Sequence, residues 1–270
     1  MDANRRLDLD LSGVGSASGG VYEDVRVEGV GKVHGDIQCN RCDVQGVSEI
    51  AGSVRANSVV IRGKAKVMGD VTADRVRVEG MTHVSGTCNG QQKVDVRGKV
   101  SIGRDIVGDV IVIDGMNRVE GDCRGTNVNI RGRTRIAGGL FAEDVLLEGA
   151  ATIGGSCESE TFRCDGSFSI EGLLNSGRVL IRLERNSTVT EIGGGEIRVE
   201  RGRGSGFLSR NRRLKVDVIE GDDIYLEHTT AKIVRGNHVT LGPAAEVDRV
   251  EYRSQFRKLG GGKAGEAKQV

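Results

Sequence analysis

Proline occurs once in the 270 residues of this chain, tryptophan does not occur, and aromatic residues make up 3% of it. The rings that usually fill a globular core are therefore missing. So little proline beside 42 glycines excludes collagen and a Pro-rich disordered chain. No apolar run approaches the roughly 18–20 residues that a spanning helix needs. Residues 1–20 lack the apolar stretch of a secretory signal, so the cytoplasm is the expected compartment. The net charge is +1 with 29% charged residues, so no chain-wide field draws in nucleic acid or an anionic membrane. Glycine stands at about twice its usual ~7% share, as expected for many regular turns around a narrow core of Val and Ile.

The glycines are periodic. One series runs Gly29, Gly46, Gly63, Gly80, Gly98, Gly115, Gly132, Gly149 and Gly166. A second lies six residues after each: Gly35, Gly52, Gly69, Gly86, Arg104, Gly121, Gly138, Gly155 and Gly172, with Arg104 the one substitution. The period is 17, broken by one extra residue within Thr87–Gln92. Self-similarity at such a period marks a solenoid. Two residues before the first glycine stand Val27, Val44, Ile61, Val78, Val96, Ile113, Ile130, Leu147 and Cys164. Three further columns of Val, Ile, Leu and Cys alternate with polar residues, the period-2 pattern of half-buried strands. The four inward residues of one turn cannot offset the entropy of ordering 17 residues, so the turns must stack.

The fold expected is all-β: a parallel β-helix of about nine 17-residue turns with a looser β-rich C-terminal continuation. The expected organisation is an N-terminal tail with a leading strand over 1–22, a β-helix core over 23–200 and an Arg-rich flexible insertion over 201–213. C-terminal strands over 214–256 and a disordered tail over 257–270 complete it. Within the tail, Leu7, Leu9 and Leu11 alternate with aspartates, and Ser12–Gly20 reads as a small-residue linker. An outward column reading Arg62, Glu79, Arg97, Asp114, Arg131 and Glu148 alternates in sign at every turn. It predicts stacked ion pairs that fix register more than they stabilise.

Few residues invite chemistry. Cys39-Asn-Arg-Cys42 has the spacing of half a zinc or redox motif, and Cys157 and Cys164 could complete four thiolates. However, Cys42, Cys88, Cys123, Cys157 and Cys164 all occupy columns that hold Val, Ile or Leu elsewhere, which makes them small buried hydrophobes. Gly193-Gly-Gly and Gly202-Arg-Gly-Ser-Gly precede no helix that could hold a phosphate. Arg201, Arg203, Arg210, Arg212 and Arg213 could meet an anionic partner, but Phe207 alone offers stacking, and a solvated loop is the simpler reading. His34, His83, His228 and His238 stand at no nucleophile-activating position. No catalytic residue, cofactor, metal or small-molecule substrate is expected. The free ladder edge at the leading strand makes Leu9 and Leu11 the expected polymer contact.

The repeat at Val59–Ala73, VVIRGKAKVMGDVTA, resembles the bactofilins, as does LEGAATIGGSCESETFRCDGSFSIEGLLNS at Leu147–Ser176. The resemblance extends over about Val25 to Leu174, and the region after Gly172 has no counterpart in it. It implies a right-handed β-helix and nucleotide-independent cytoskeletal filaments built end to end from copies of the same chain. It also implies peripheral association with the inner membrane from the cytoplasmic side. No nucleic acid partner is expected. The alternative is a solenoid scaffold that recruits a partner without polymerising.

Overall fold

The computed structural model describes residues 6–202 and 212–270 and contains no helix among them. The strands pair in parallel among the described residues. The chain forms two compact units, residues 1–128 with 132–137, and residues 129–131 with 138–270.

The first unit contains β1 (Leu9–Val21), β2 (Asp24–Ile50), β3 (Val54–Val67), β4 (Val71–Val84), β5 (Cys88–Ile102), β6 (Ile106–Val119) and most of β7 (Cys123–Ile136). The columns read from the sequence are the register of the ladder. Cys42 pairs with Val59, Val59 with Val76, Val76 with Val94 and Val94 with Ile111. Alternate residues point inward, and Val44, Val59, Val67, Val84 and Ile111 are almost fully buried. The first glycine column is a true backbone requirement. Gly63 has φ +105°, and a Cβ there would lie 2.5 Å from the Gly46 carbonyl oxygen in the turn before. The extra residue within Thr87–Gln92 is a bulge at Gln91–Gln92: Gly90 pairs with Ala73 and Lys93 with Arg75, so two residues oppose Asp74 alone.

The second unit contains β8 (Leu140–Phe141), β9 (Asp144–Ile153), β10 (Cys157–Leu183), β11 (Ser187–Arg201), β12 (Leu214–Leu226), β13 (Thr229–Leu241), β14 (Glu246–Lys258) and β15 (Lys263–Gln269). Val145 pairs with Phe162, and a further column runs Val179, Ile197, Ile224, Val239, Phe256. Phe162 and Phe168 meet edge to face at 5.6 Å inside it.

The expected count of nine turns is therefore too small: the chain makes about fifteen. One more turn precedes the nine. β1 pairs with β2 from Leu9↔Val25 through Gly13↔Gly29 to Val21↔Gln38. Ser12–Gly20, expected to be a linker, is thus ladder, and Gly13 with φ +79° is an earlier member of the corner series. At the other end the turns continue in register, some of them 15 residues long, as Leu214↔Thr229 shows. Residues 263–269, expected to be disordered, form β15 on β14, with Lys263 opposite Glu246 and Gln269 opposite Tyr252.

Candidate functional site

Three places merit attention: the terminal turns, the arginine-rich segment and the lateral faces.

Among the described residues β1 is the first strand of the sheet and has a neighbour on one side only. Its inward residues consequently lack the cover that the next turn gives theirs. Val25 and Val27 are 1% exposed, whereas Leu9 and Leu11 in the same columns are only half-buried. Leu7 is 76% exposed beside them. Asp8 Oδ1 accepts the Asp24 N–H at 3.1 Å, so the turn is tied down at its start. The second unit shows the same effect in its last full turn, where Phe256 is half-buried although Val239, its partner on β13, is buried. Tyr252 stacks on Phe256 at 5.7 Å.

Of the five arginines, Arg203 and Arg210 lie outside the described residues. Arg201 is exposed, and its backbone N–H donates to Glu227. Arg212 and Arg213 are engaged within the fold. Arg212 is nearly buried, pairs with Glu184 at 3.1 Å and donates to the Gly202 carbonyl. Arg213 Nη1 donates to Thr230 and to Glu246, at 2.6 and 2.8 Å. Arg213, with Lys263 behind it, holds the Glu246 carboxyl below its ordinary value.

All six cysteines are reduced and buried. Burial pushes the Cys88, Cys123 and Cys164 thiols up to about 12. Cys39 and Cys42 do share one hydrogen bond, which lowers the Cys39 thiol and raises that of Cys42. Among the described residues, no group of His, Cys, Asp or Glu is placed to hold a metal ion. His83 lies 3.2 Å from Ser85 Oγ and His238 Nδ1 lies 2.8 Å from Asp223. The first pair lies at the end of β4, the second joins β13 to β12, and they share no member, so among the described residues these histidines bring no nucleophile, base and orienting carboxylate together.

Two lateral features were not foreseen. One is a polar ladder just after the second glycine. Asp36 Oδ1 accepts the Ser53 N–H, Ser53 Oγ the Asp70 N–H and Asp70 Oδ1 the Thr87 N–H, at 2.7, 3.1 and 2.7 Å. The signal was the recurrent Gly-Asp or Gly-Ser dipeptide, whose short side chain reaches a backbone N–H one turn on. The other is a groove of about 1060 Å³ in the first unit, running along the column beside the first glycines, from Val14–Ser16 to Arg133–Arg135.

A parallel β-solenoid is a repeat architecture, in which each turn packs on its neighbours. Residues 6–89 match the bactofilin family, described as polymer-forming cytoskeletal, and the resemblance read from the repeat holds over that segment. The chain is also similar to two proteins of Bacillus subtilis strain 168. It is 48% identical over 82 residues to the uncharacterized protein YhbF, covering 30% of this chain and 34% of that one. It is 40% identical over 91 residues to the uncharacterized protein YhbE, covering 32% of this chain and 38% of that one. The chain thus spans about a third of the length of the relatives it matches. No solved structure matches it.

Proposed function

We propose that this protein is a cytoskeletal scaffold that assembles with copies of itself end to end, through its terminal turns, without a nucleotide. The observation that carries this reading is the exposure of the inward column at β1, where Leu9 and Leu11 stand half-open above the buried Val25 and Val27. A parallel ladder continued by a second copy would cover both the leucines and the unpaired backbone groups of the edge. The bactofilin match over residues 6–89 includes this turn and favours the same reading. A cytoplasmic location and peripheral contact with the cytoplasmic face of the membrane follow from the same resemblance, and the reading assigns no catalytic residue.

The test is negative-stain electron microscopy of the purified chain, with light scattering across protein concentration and salt, in the absence of nucleotide. Filaments are expected. A protein that stays monomeric throughout would leave the alternative, a solenoid that recruits a partner without polymerising.

A further inference from the structure

The groove on the first unit has the chemistry of a recognition surface. Three columns build it. The residue after each first glycine points outward and forms one ridge, on which Val14, Val30, Val47, Met81 and Met116 are 50–86% exposed and Lys64, Lys99 and Arg133 fill the remaining turns. The residue two positions further on points outward as well and forms the second ridge, with Lys32, Lys66, His83 and Arg118 among its members. Between them the floor is inward-facing and small, as at Gly31, Ser48, Ala65 and Thr82. Exposed Val at three successive turns, and Met at two later ones, serve no fold requirement, because a solvated column would take any polar residue.

The charge on this face is one-sided although the chain is nearly neutral. Seven Lys and Arg side chains line the groove, against the single carboxylate of Glu49. Glu49 is spent on Lys32, 2.8 Å away, and Arg118 pairs outside the groove with Glu120. Lys64, Lys66 and Lys99 form no ion pair among the described residues. An occupant must therefore bring negative charge to these cations and apolar surface to the Val and Met ridge.

Dimensions select among anionic partners. The ridges stand two residues apart on each strand, about 6.6 Å. That width admits one extended chain but not an α-helix of about 10–12 Å diameter. A planar bilayer would rest on the ridge crests and leave the floor unfilled. Eight stacked turns from Val14 to Arg133 extend about 34 Å at ~4.8 Å each, the length of about ten extended residues. We propose that this groove binds an extended acidic segment of a partner protein, one in which carboxylates alternate with aliphatic side chains. Successive side chains of such a segment point to opposite sides. Its aliphatic residues then face the Val and Met ridge and its carboxylates face the Lys and Arg ridge. The groove begins on β1 at Val14 but lies on a lateral face, so an occupant leaves the inward Leu9 and Leu11 uncovered.

The probe is a fluorescein-labelled peptide of about ten residues alternating valine and glutamate, with a valine–lysine peptide as control, read by fluorescence anisotropy on the full chain. The valine–glutamate peptide should bind and the control should not. Affinity should fall roughly tenfold on moving to high salt and by at least as much in the combined variant Lys32→Glu, Lys66→Glu, both on the second ridge. The variant Met81→Ser with Met116→Ser should weaken binding without steepening its salt dependence. All four positions are exposed, and circular dichroism verifies the fold of each variant. Equal binding of the two peptides, or unchanged affinity in the lysine variant, overturns the proposal. So does association with phosphatidylglycerol vesicles without peptide binding, which would make this a membrane face. Loss of filaments in the lysine variant with no peptide binding to wild type also overturns it, because the face would then be a contact between copies.

Discussion

Asp95 and Arg97, two residues apart on β5, form a two-pronged ion pair: Arg97 Nε donates to Asp95 Oδ1 at 2.9 Å and Nη2 to Oδ2 at 3.0 Å. Asp95 is 6% exposed while the Arg97 side chain is half exposed. The alternating column expects Arg97 to work mainly across turns, with Glu79 and Asp114. Its strongest partner is instead within its own turn, and the two neighbours act on it only through their charge. Elsewhere in the column the cross-turn pairing does form, as Arg62–Glu79 at 3.7 Å and Arg131–Glu148 at 2.8 Å.

This geometry changes the expected consequence of Arg97→Glu. The substitution strips a buried carboxylate of its cation and adds a like charge beside it. The melting temperature should fall clearly further than for Arg131→Glu, whose partner Glu148 is exposed. High salt should restore little of the loss at Arg97 and most of it at Arg131. Thermal melts at low and high salt check both statements; equal, salt-erased losses would contradict the special role of Asp95.

Thr82→Val should stabilise the fold. Thr82 Oγ1 is buried without a hydrogen-bond partner, and the residue paired with Thr82 in the next turn is already Val100. Removing an unsatisfied buried hydroxyl while keeping the β-branched shape is expected to gain about 1 kcal/mol. The denaturant midpoint should rise with an unchanged slope. A fall would mean that the hydroxyl has a partner in solution. Ser48→Ala, with Ala65 opposite, is the parallel case.

The central turns were legible because one strict backbone demand recurs in them. A left-handed corner at Gly46, Gly63 or Gly80 admits only glycine, so the register is written directly into the sequence. The outer turns relax that demand. Where the earlier turns place the first glycine, later ones carry Leu183, Arg201, His228 and Pro243, two residues beyond Ile181, Val199, Leu226 and Leu241. Turn length also drops to 15 residues there. A search for 17-residue spacing therefore stops at Gly172 although the inward alternation continues. Polar β15 was missed for another reason: its ladder to β14 is a backbone property that KAGEAKQ does not announce. At the candidate sites, the half-buried leucines of β1 were readable as an unmatched strand. The groove was not, because its ridges are outward columns with no motif, assembled only by stacking.

The cysteines should behave as packing residues. Thiols raised to about 12 at Cys88, Cys123 and Cys164 are protonated at neutral pH and shielded from reagents. A thiol reagent should modify the native protein slowly, beginning with Cys39, whose thiol the Cys42 hydrogen bond lowers. All six should react after denaturation. Cys123→Val should leave the circular dichroism unchanged. Stoichiometric zinc in the purified protein, lost in Cys42→Val, would contradict this assignment.

His228 gives the second unit a pH response. Its φ is +47°, and it is partly enclosed between β12 and β13, with its backbone N–H donating to the Pro243 carbonyl at 2.9 Å. Burial, then the charges of Arg201 and Arg213, push its imidazole below the ordinary 6.5. The unfolded chain therefore binds a proton in a range where the folded chain does not. The stability due to neutral His228 is present above pH 6.5 and is lost as pH falls through the folded value. Melting temperature should decline from pH 7.5 to pH 5, before the lowered carboxylate of Glu246 begins to titrate below its ordinary 4.5. His228→Asn, which tolerates the left-handed backbone, should flatten the profile above pH 5. An unchanged slope in that variant would place the response elsewhere.

Assembly should depend on the inward column of β1. Leu9→Lys with Leu11→Lys puts two charges where the inward column of β1 is half-open. A charge there still reaches water in the single chain, so β-sheet circular dichroism should persist. In a filament the same charges would be enclosed between two stacked turns and would have to be desolvated without partners. Filaments should therefore be abolished or shortened in electron micrographs, and light scattering should fall to that of the single chain. Val96→Lys supplies the contrast. Val96 is 1% exposed in the middle of the ladder, paired with Val78 and Ile113, so a lysine there should unfold the first unit. The comparison separates an assembly defect from a folding defect. Normal filaments from the double lysine variant would move the contact to the half-buried Phe256 turn or to a lateral face, and the same pair of lysines would then serve as a neutral background for testing either one.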